Sequence, residues 1–443
     1  MLTNAHSVDH STQVKVKHRG SDKKYLAKVL AIGAECDLAL LSIADDDFWR
    51  GVTPIALGKL PKLQDSVTVV GYPIGGDTIS VTAGVVSRIE MTAYAHSSSE
   101  LLGVQIDAAI NSGNSGGPVF DNKGACVGVA FQSLNHQEAD GIGYIVPVPV
   151  IKHFLLDVEK HKRYLGFPTL GVETQKLENS DLRAALGLPA GQNGVLVRRV
   201  EPTSAAGGVL QKGDVLLTFD AQPIACDGTV PFRVGERIGF GHLVSSKLVG
   251  DTARLRVWSQ RREKSVDVTL TALRRLIPVH TEGQPPSYYI FAGLVFTTVC
   301  VPYLRSEYGK EWDFDSPVRI LDKVLHGQVE FPGQQHVVIG QVLASEINVG
   351  YEDVVNTAVV AVNGVPVQHL RQLVELVEEC TEPFLCIDLD NFSLIALSTE
   401  QARAATAAIL ETHSIPRQCS ADVADALRSG GPGSARKRKT GRR

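Results

Sequence analysis

Eight short apolar runs crowd the first 150 residues, and each is cut off by Gly, Asp, Asn or Pro before it can lengthen. They read VKVKHRG, YLAKVLAIG, DLALLSI, DSVTVVGYP, ISVTAGVVSRIE, LLGVQIDAA, GPVFDNKG and ACVGVAFQS. β-Branched residues pack well on a pleated surface, and the turn residues between the runs end each strand. No stretch among them has the 3.6-residue apolar spacing of an amphipathic helix. Residues 1–150 are therefore expected to form an all-β barrel or sandwich. A helix over Val150–His161 closes that domain near residue 160.

A chain of 443 residues has room for about three domains. From 166 to 275 the pattern turns mixed: strand runs VLVRRV and DVLLTF, a helix at Leu177–Leu186, then the strand pair ARLRVWSQ and KSVDVTL. Residues 276–287, ending TEGQPPS, read as a linker. Residues 288–398 are mixed again, with VVIGQVL, TAVVAVNGVPV and a helix at Gln368–Cys380. TAVVAVNGVPV echoes DVLLTFDAQPI, which points to a shared fold for the two later segments. The uncharged run Tyr288–Leu304 is shorter than the roughly 20 residues a membrane helix needs, and it holds Pro302. Its aromatic and β-branched content favours buried strands, so no membrane is expected as a partner. A helix at Thr399–Thr412 precedes the tail SGGPGSARKRKTGRR, whose Gly/Ser/Pro content and clustered charge predict disorder.

The seven Cys include no CxxC pair and no Cys/His cluster of zinc spacing. They read as free thiols in a reducing compartment, with no metal and no cofactor expected. The net charge of −4 steers the whole chain toward neither nucleic acid nor membrane.

Chemistry enters with Gly113-Asn114-Ser115-Gly116-Gly117-Pro118, lying between two strand runs. A nucleophilic serine needs a tight turn that exposes its Oγ and aims backbone N–H groups at a developing oxyanion. Flanking glycines permit the turn and let a substrate backbone approach closely. A base and an orienting carboxylate must accompany it. His6, in TNAH, and Asp37, which leads into an apolar strand in ECDLALL, supply them. The order His, Asp, Ser matches that of chymotrypsin-type β-barrels and differs from subtilisin and the α/β-hydrolases.

TNAHSV, CDLALL and GNSGGPV resemble the three catalytic blocks of the Deg/HtrA (protease Do-like) family, and the resemblance runs through most of the chain. It implies a mainly β fold: a trypsin-like double β-barrel protease domain followed by two PDZ-like α+β domains. It implies an ATP-independent serine endopeptidase acting on unfolded, damaged or regulatory proteins, assembled as trimers or multiples of them. His6 would then be the base, Asp37 its orienter and Ser115 the nucleophile, with the Gly113 and Ser115 N–H groups as oxyanion hole. YPIGGDTISVTAGVVS resembles the family's activation loop. GIGYIVP (Gly141–Pro147) resembles the segment bordering the S1 pocket, which Ile142 and Tyr144 would shape.

Residues 166–275 resemble the family's PDZ modules, which capture peptides by β-augmentation. Thr169, Leu170, Gly171 and Val172 would begin the carboxylate-binding loop and its strand, with Tyr164-Leu165-Gly166-Phe167 as a rival position. Residues 288–398 resemble the divergent second PDZ of plant and algal members, for which packing or assembly is expected. A catalytically impaired PDZ-containing binding protein or chaperone is the alternative function.

Two expectations concern the chain's ends. His6 follows only five residues, while a strand alone takes about five or six, so first-barrel strands are expected to be missing and the chain as written to be poorly soluble and less active. The basic tail Arg436-Lys437-Arg438-Lys439 fits an import signal, giving nucleus or nucleolus, with plastid or mitochondrion as the alternative if a transit peptide is missing. Specific nucleic-acid binding is not expected from it.

Overall fold

In a computed structural model, described for residues 1–72, 78–94, 99–110, 113–136 and 139–429, all eight apolar runs are strands. The first sheet holds β1 (Leu2–Thr3), β2 (Val14–Lys17), β3 (Lys24–Gly33) and β4 (Leu38–Ile43), in the order β1-β4-β3-β2. It is an open four-stranded sheet among the described residues, where the family pattern implies a barrel. β3 alternates buried and exposed positions, as a strand with one wet face must, whereas β4 is buried along most of its length. β2 is an edge, and Lys15 and Lys17 blunt it against pairing with other chains.

The second sheet closes. β5 (Ser66–Gly71), β6 (Ser80–Ala93), β7 (Glu100–Ile106), β8 (Pro118–Asp121), β9 (Cys126–His136) and β10 (Ala139–Pro147) form a barrel in the order β10-β7-β6-β5-β8-β9. Val67, Val69, Val104, Ile106, Val119 and Ile145 fill its interior. Helix α1 (Val148–His161) leaves β10 directly, with Pro149 in its first turn, where the missing N–H costs nothing. Val150, Ile151, Phe154 and Asp157 form its buried stripe, and Lys162 ends it in the left-handed conformation.

The next module has a sheet of strands Val172–Lys176, Val195–Val200, Val215–Phe219, Thr252–Ser259 and Arg262–Thr269 in that spatial order. Asn179 caps the short helix Ser180–Ala185 by accepting from Leu182 N at 2.9 Å. A hairpin of Thr229–Arg233 and Glu236–Gly239, unforeseen in the sequence, precedes the helix Gly241–Ser245. The module's core (Val195, Leu216, Phe219, Leu255) is continuous with Tyr94, Leu102, Phe131 and Phe154 of the protease region. Residues 1–273 are accordingly one compact unit.

Residues 274–443 form the second unit. Strands Tyr288–Phe291, Leu294–Thr298, Val337–Val342, Thr357–Val362, Phe384–Leu389 and Leu394–Ser398 make its sheet. The uncharged run is not strand throughout. After the hairpin ending at Thr298 it becomes the helix Val301–Tyr308, because Pro302 sits in the first turn, where proline's fixed φ suits a helix. No helix among the described residues is long and apolar enough to cross a membrane.

Two expected boundaries shift. Ile277, placed in the linker, is buried with Val299, Leu304 and Ile320. The helix Thr399–Thr412, set outside the module, is part of it: Ala402 enters the core and Thr406 Oγ1 accepts from Ala292 N at 2.9 Å. Beyond it, Gln418 O accepts from Ile290 N at 2.8 Å and Cys419 bridges Tyr289, so the chain covers that strand's outer edge. The basic tail and Pro73–Asp77 of the activation-loop segment lie outside the described residues.

Candidate active site

His6 sits in a 3₁₀ turn, Ala5–Ser7, just after β1; Asp37 ends a second such turn, Ala34–Cys36, just before β4. Because β1 pairs with β4 (Leu2 with Leu40, Thr3 with Ala39), the two turns are brought side by side. His6 Nδ1 donates to Asp37 Oδ2 at 2.7 Å, and His6 N donates to Asp37 Oδ1 at 3.0 Å. Asp37's side chain is 1% exposed and that of His6 29%, so the carboxylate is sealed while the imidazole keeps one face open. A carboxylate can only accept, which puts the proton on Nδ1 and leaves Nε2 with the lone pair a base needs.

Asp37 pays for its place with backbone conformation: φ is 51° and ψ 42°, the left-handed region. Two contacts hold it there. Asp37 N donates to Ala34 O at 3.3 Å, and Asp37 O accepts from Asn4 Nδ2 at 2.9 Å. Asn4 is fully buried. The sequence reading passed over it, although an Asn two residues before a candidate base, in TNAH, was the available signal.

Ser115 is on the turn between β7 and β8, contributed by the closed barrel. Gly116 N donates to Ala130 O at 2.8 Å and Gly117 N to Asn114 O at 3.0 Å, which fixes the loop from behind. Among the described residues, neither the Gly113 nor the Ser115 amide finds an acceptor. Gly113 has φ +101° and Gly116 φ +82°, conformations that L side chains avoid. A Cβ on Gly116 would stand 2.5 Å from Thr3 Oγ1 and 3.2 Å from Asn4 N. The serine turn therefore abuts the segment that carries His6, and the two sheets meet at this point.

Tyr144 lies on β10, opposite Gln105 of β7. It is buried with Tyr94, Leu102 and Phe131, its hydroxyl 3.4 Å from Gln105 Oε1 and 3.5 Å from Glu90 Oε1. Ile142 packs partly buried on the same cluster. Thr169 pairs with Thr271, Leu170 is buried, Gly171 N donates to Thr169 Oγ1 at 3.0 Å, and Val172 begins the module's outermost strand. At the rival position, Phe167 N donates to Glu35 Oε2 at 2.7 Å.

Residues 1–129 match the family model of a trypsin-like peptidase domain, and residues 277–422 that of a PDZ domain. The chain is 50% identical over 423 residues to Protease Do-like 2, chloroplastic, of Arabidopsis thaliana, covering 96% of this chain and 69% of that protein. It is 44% identical over 417 residues to Protease Do-like 4, mitochondrial, of the same plant, covering 94% and 77%. A serine-to-alanine form of the HtrA-type protease AlgW, solved with a decapeptide, aligns with a TM-score of 0.50 and 26% identity over 62% of this chain and 78% of that one. With identity of this extent, and the peptidase and PDZ matches in the expected order, the chain belongs to the Deg/HtrA (protease Do-like) family of serine proteases.

Proposed function

We propose that the chain hydrolyses unfolded or damaged proteins without ATP, through His6, Asp37 and Ser115. His6 Nε2 takes the Ser115 Oγ proton as Oγ bonds the scissile carbonyl carbon, whose π pair moves onto oxygen. The Gly113 and Ser115 N–H groups receive that oxyanion. Collapse breaks the C–N bond, and the proton passes from His6 to the leaving amine. Water, deprotonated by the same imidazole, then adds to the acyl carbon; as the C–Oγ bond breaks, the imidazolium returns that proton to Ser115 Oγ and the carboxylic product leaves. Asp37 holds Nδ1 throughout and balances the imidazolium.

The observation that carries this reading is the sealed His6–Asp37 contact on a segment, Thr3–His6, against which the glycine-hemmed serine turn packs. The alternative, a PDZ-bearing binding protein without activity, has no comparable feature in its favour. Ser115→Ala is expected to lower kcat on casein by about 10⁴-fold or more. The intact chain should react with a fluorophosphonate at Ser115 alone. Undiminished casein hydrolysis by the variant would overturn the assignment.

The first PDZ-like module is proposed to receive peptides along Val172–Lys176, an edge strand of its sheet. The named relatives bear chloroplastic and mitochondrial designations and support an organellar site over a nuclear one. Trimers or multiples of them are the assembly that family membership favours.

A further inference from the structure

The residue two places before the catalytic acid is tied to a segment far along the chain. Glu35 Oε2 accepts from Phe167 N at 2.7 Å and from the Tyr164 hydroxyl at 3.1 Å. Gly166, between them, has φ +99°, and a Cβ there would stand 2.8 Å from the same oxygen. The neighbouring Cys36 thiol, fully buried, lies 3.9 Å from the Tyr164 hydroxyl. Burial drives the Tyr164 phenol far above its ordinary range, so it stays a donor. The segment is staked from its other side as well: buried Asp157 on α1 accepts from Leu165 N at 2.6 Å. Tyr164–Phe167 is the entry to the first PDZ-like module, which continues at once into the Pro168–Thr169 strand.

Asp37 is held in a left-handed conformation by a turn of only three residues. A turn that short has no core of its own. On one side β1 and Asn4 brace it; on the other, Glu35 and Cys36 reach Tyr164 and Phe167, and Cys36 packs in the core with Phe154. We propose that Glu35 is a positioning residue, through which the module's entry segment sets the geometry of the catalytic acid. It touches neither substrate nor the reacting atoms. The inference rests on the triad reading and adds to it that the protease depends on residues 164–167, outside its barrel.

The test uses the full chain, with kcat expressed per site titrated by fluorophosphonate. Glu35→Ala frees the turn and is expected to lower kcat by about tenfold or more, with KM little changed, because small displacements of a triad member are costly. Glu35→Gln should recover most of that loss, since its amide oxygen accepts from the same two donors. Gly166→Ala, acting from the far side, should reproduce the loss, and Tyr164→Phe should show a smaller one. A purely structural role would lower the titratable fraction and the melting temperature while leaving kcat per site unchanged, and that result overturns the proposal. Should Glu35→Ala fail to fold, Gly166→Ala and Tyr164→Phe decide in the same way. Activity surviving in Ser115→Ala would instead overturn the triad reading.

Discussion

A non-glycine residue in the left-handed region typically costs on the order of 1 kcal/mol, less for Asp and Asn than for bulkier side chains. Asp37 bears that cost where its carboxylate must receive two donors from a single histidine. At Gly116 the constraint is steric instead, with φ +82° and Thr3 Oγ1 at 2.5 Å from any added Cβ. Gly116→Ala is therefore expected to push the Thr3–His6 segment away from the serine turn. Stability should fall by about 1 kcal/mol or more, and kcat by about a hundredfold. Denaturant titration and casein hydrolysis measure the two losses separately. A variant with normal kcat would show that the turn does not need this close approach.

Among the elements, α1 joins barrel to module, and His153 is its most exacting side chain. The ring stacks on Phe167 with centroids 4.0 Å apart and an interplanar angle of 15°, and Nε2 donates to Lys247 O at 2.7 Å. Its Nδ1 is buried with no partner among the described residues. Burial holds the His153 pKa below its ordinary 6.5, and His242, which lines the same cavity of about 260 Å³, is lowered for the same reason. Below about pH 6.5 the unfolded chain then binds more protons than the folded one, so stability falls as pH drops. The melting temperature is expected to decline between pH 7 and 5.5. His153→Gln, which does not titrate and can still donate to Lys247 O, should flatten part of that decline. An unchanged slope would remove His153 as its source. The same elements show what sequence could and could not reveal. Apolar runs bounded by turn residues marked eight of the ten strands of the protease region, because each buries a face; β1, of two residues, and β10 were not among them. The hairpin at 229–239 was missed because PFRVGERIG mixes charges, Pro and Gly within strands four or five residues long. Glu35 carried no local signal: Tyr164 and Phe167, which donate to it, stand 129 and 132 positions along the chain, brought back by the packing of Phe154 against Tyr164 and by the Asp157 bond to Leu165 N.

At the scale of the whole molecule, two sheets from separate stretches of chain meet at the candidate site, and a module sharing their core has an edge strand, Val172–Lys176, proposed to receive peptides. With the Ser115→Ala chain, C-terminal peptides are expected to bind, and amidating their C-termini should weaken binding, since the loop N–H groups lose their anion. Equal affinity for acid and amide would reject Thr169–Val172 as the carboxylate loop. The division of the proposed triad between two sheets has a consequence for timing. Synthesis proceeds from the amino end at roughly 5–20 residues per second. The open sheet with His6 and Asp37 thus leaves the ribosome seconds before the closed barrel with Ser115. Until that barrel shuts and docks against Thr3 and Asn4, the chain holds an acid–base pair with no nucleophile to activate. Under the proposed triad, latency is then written into the order of the gene: a half-made copy cannot yet cut its neighbours.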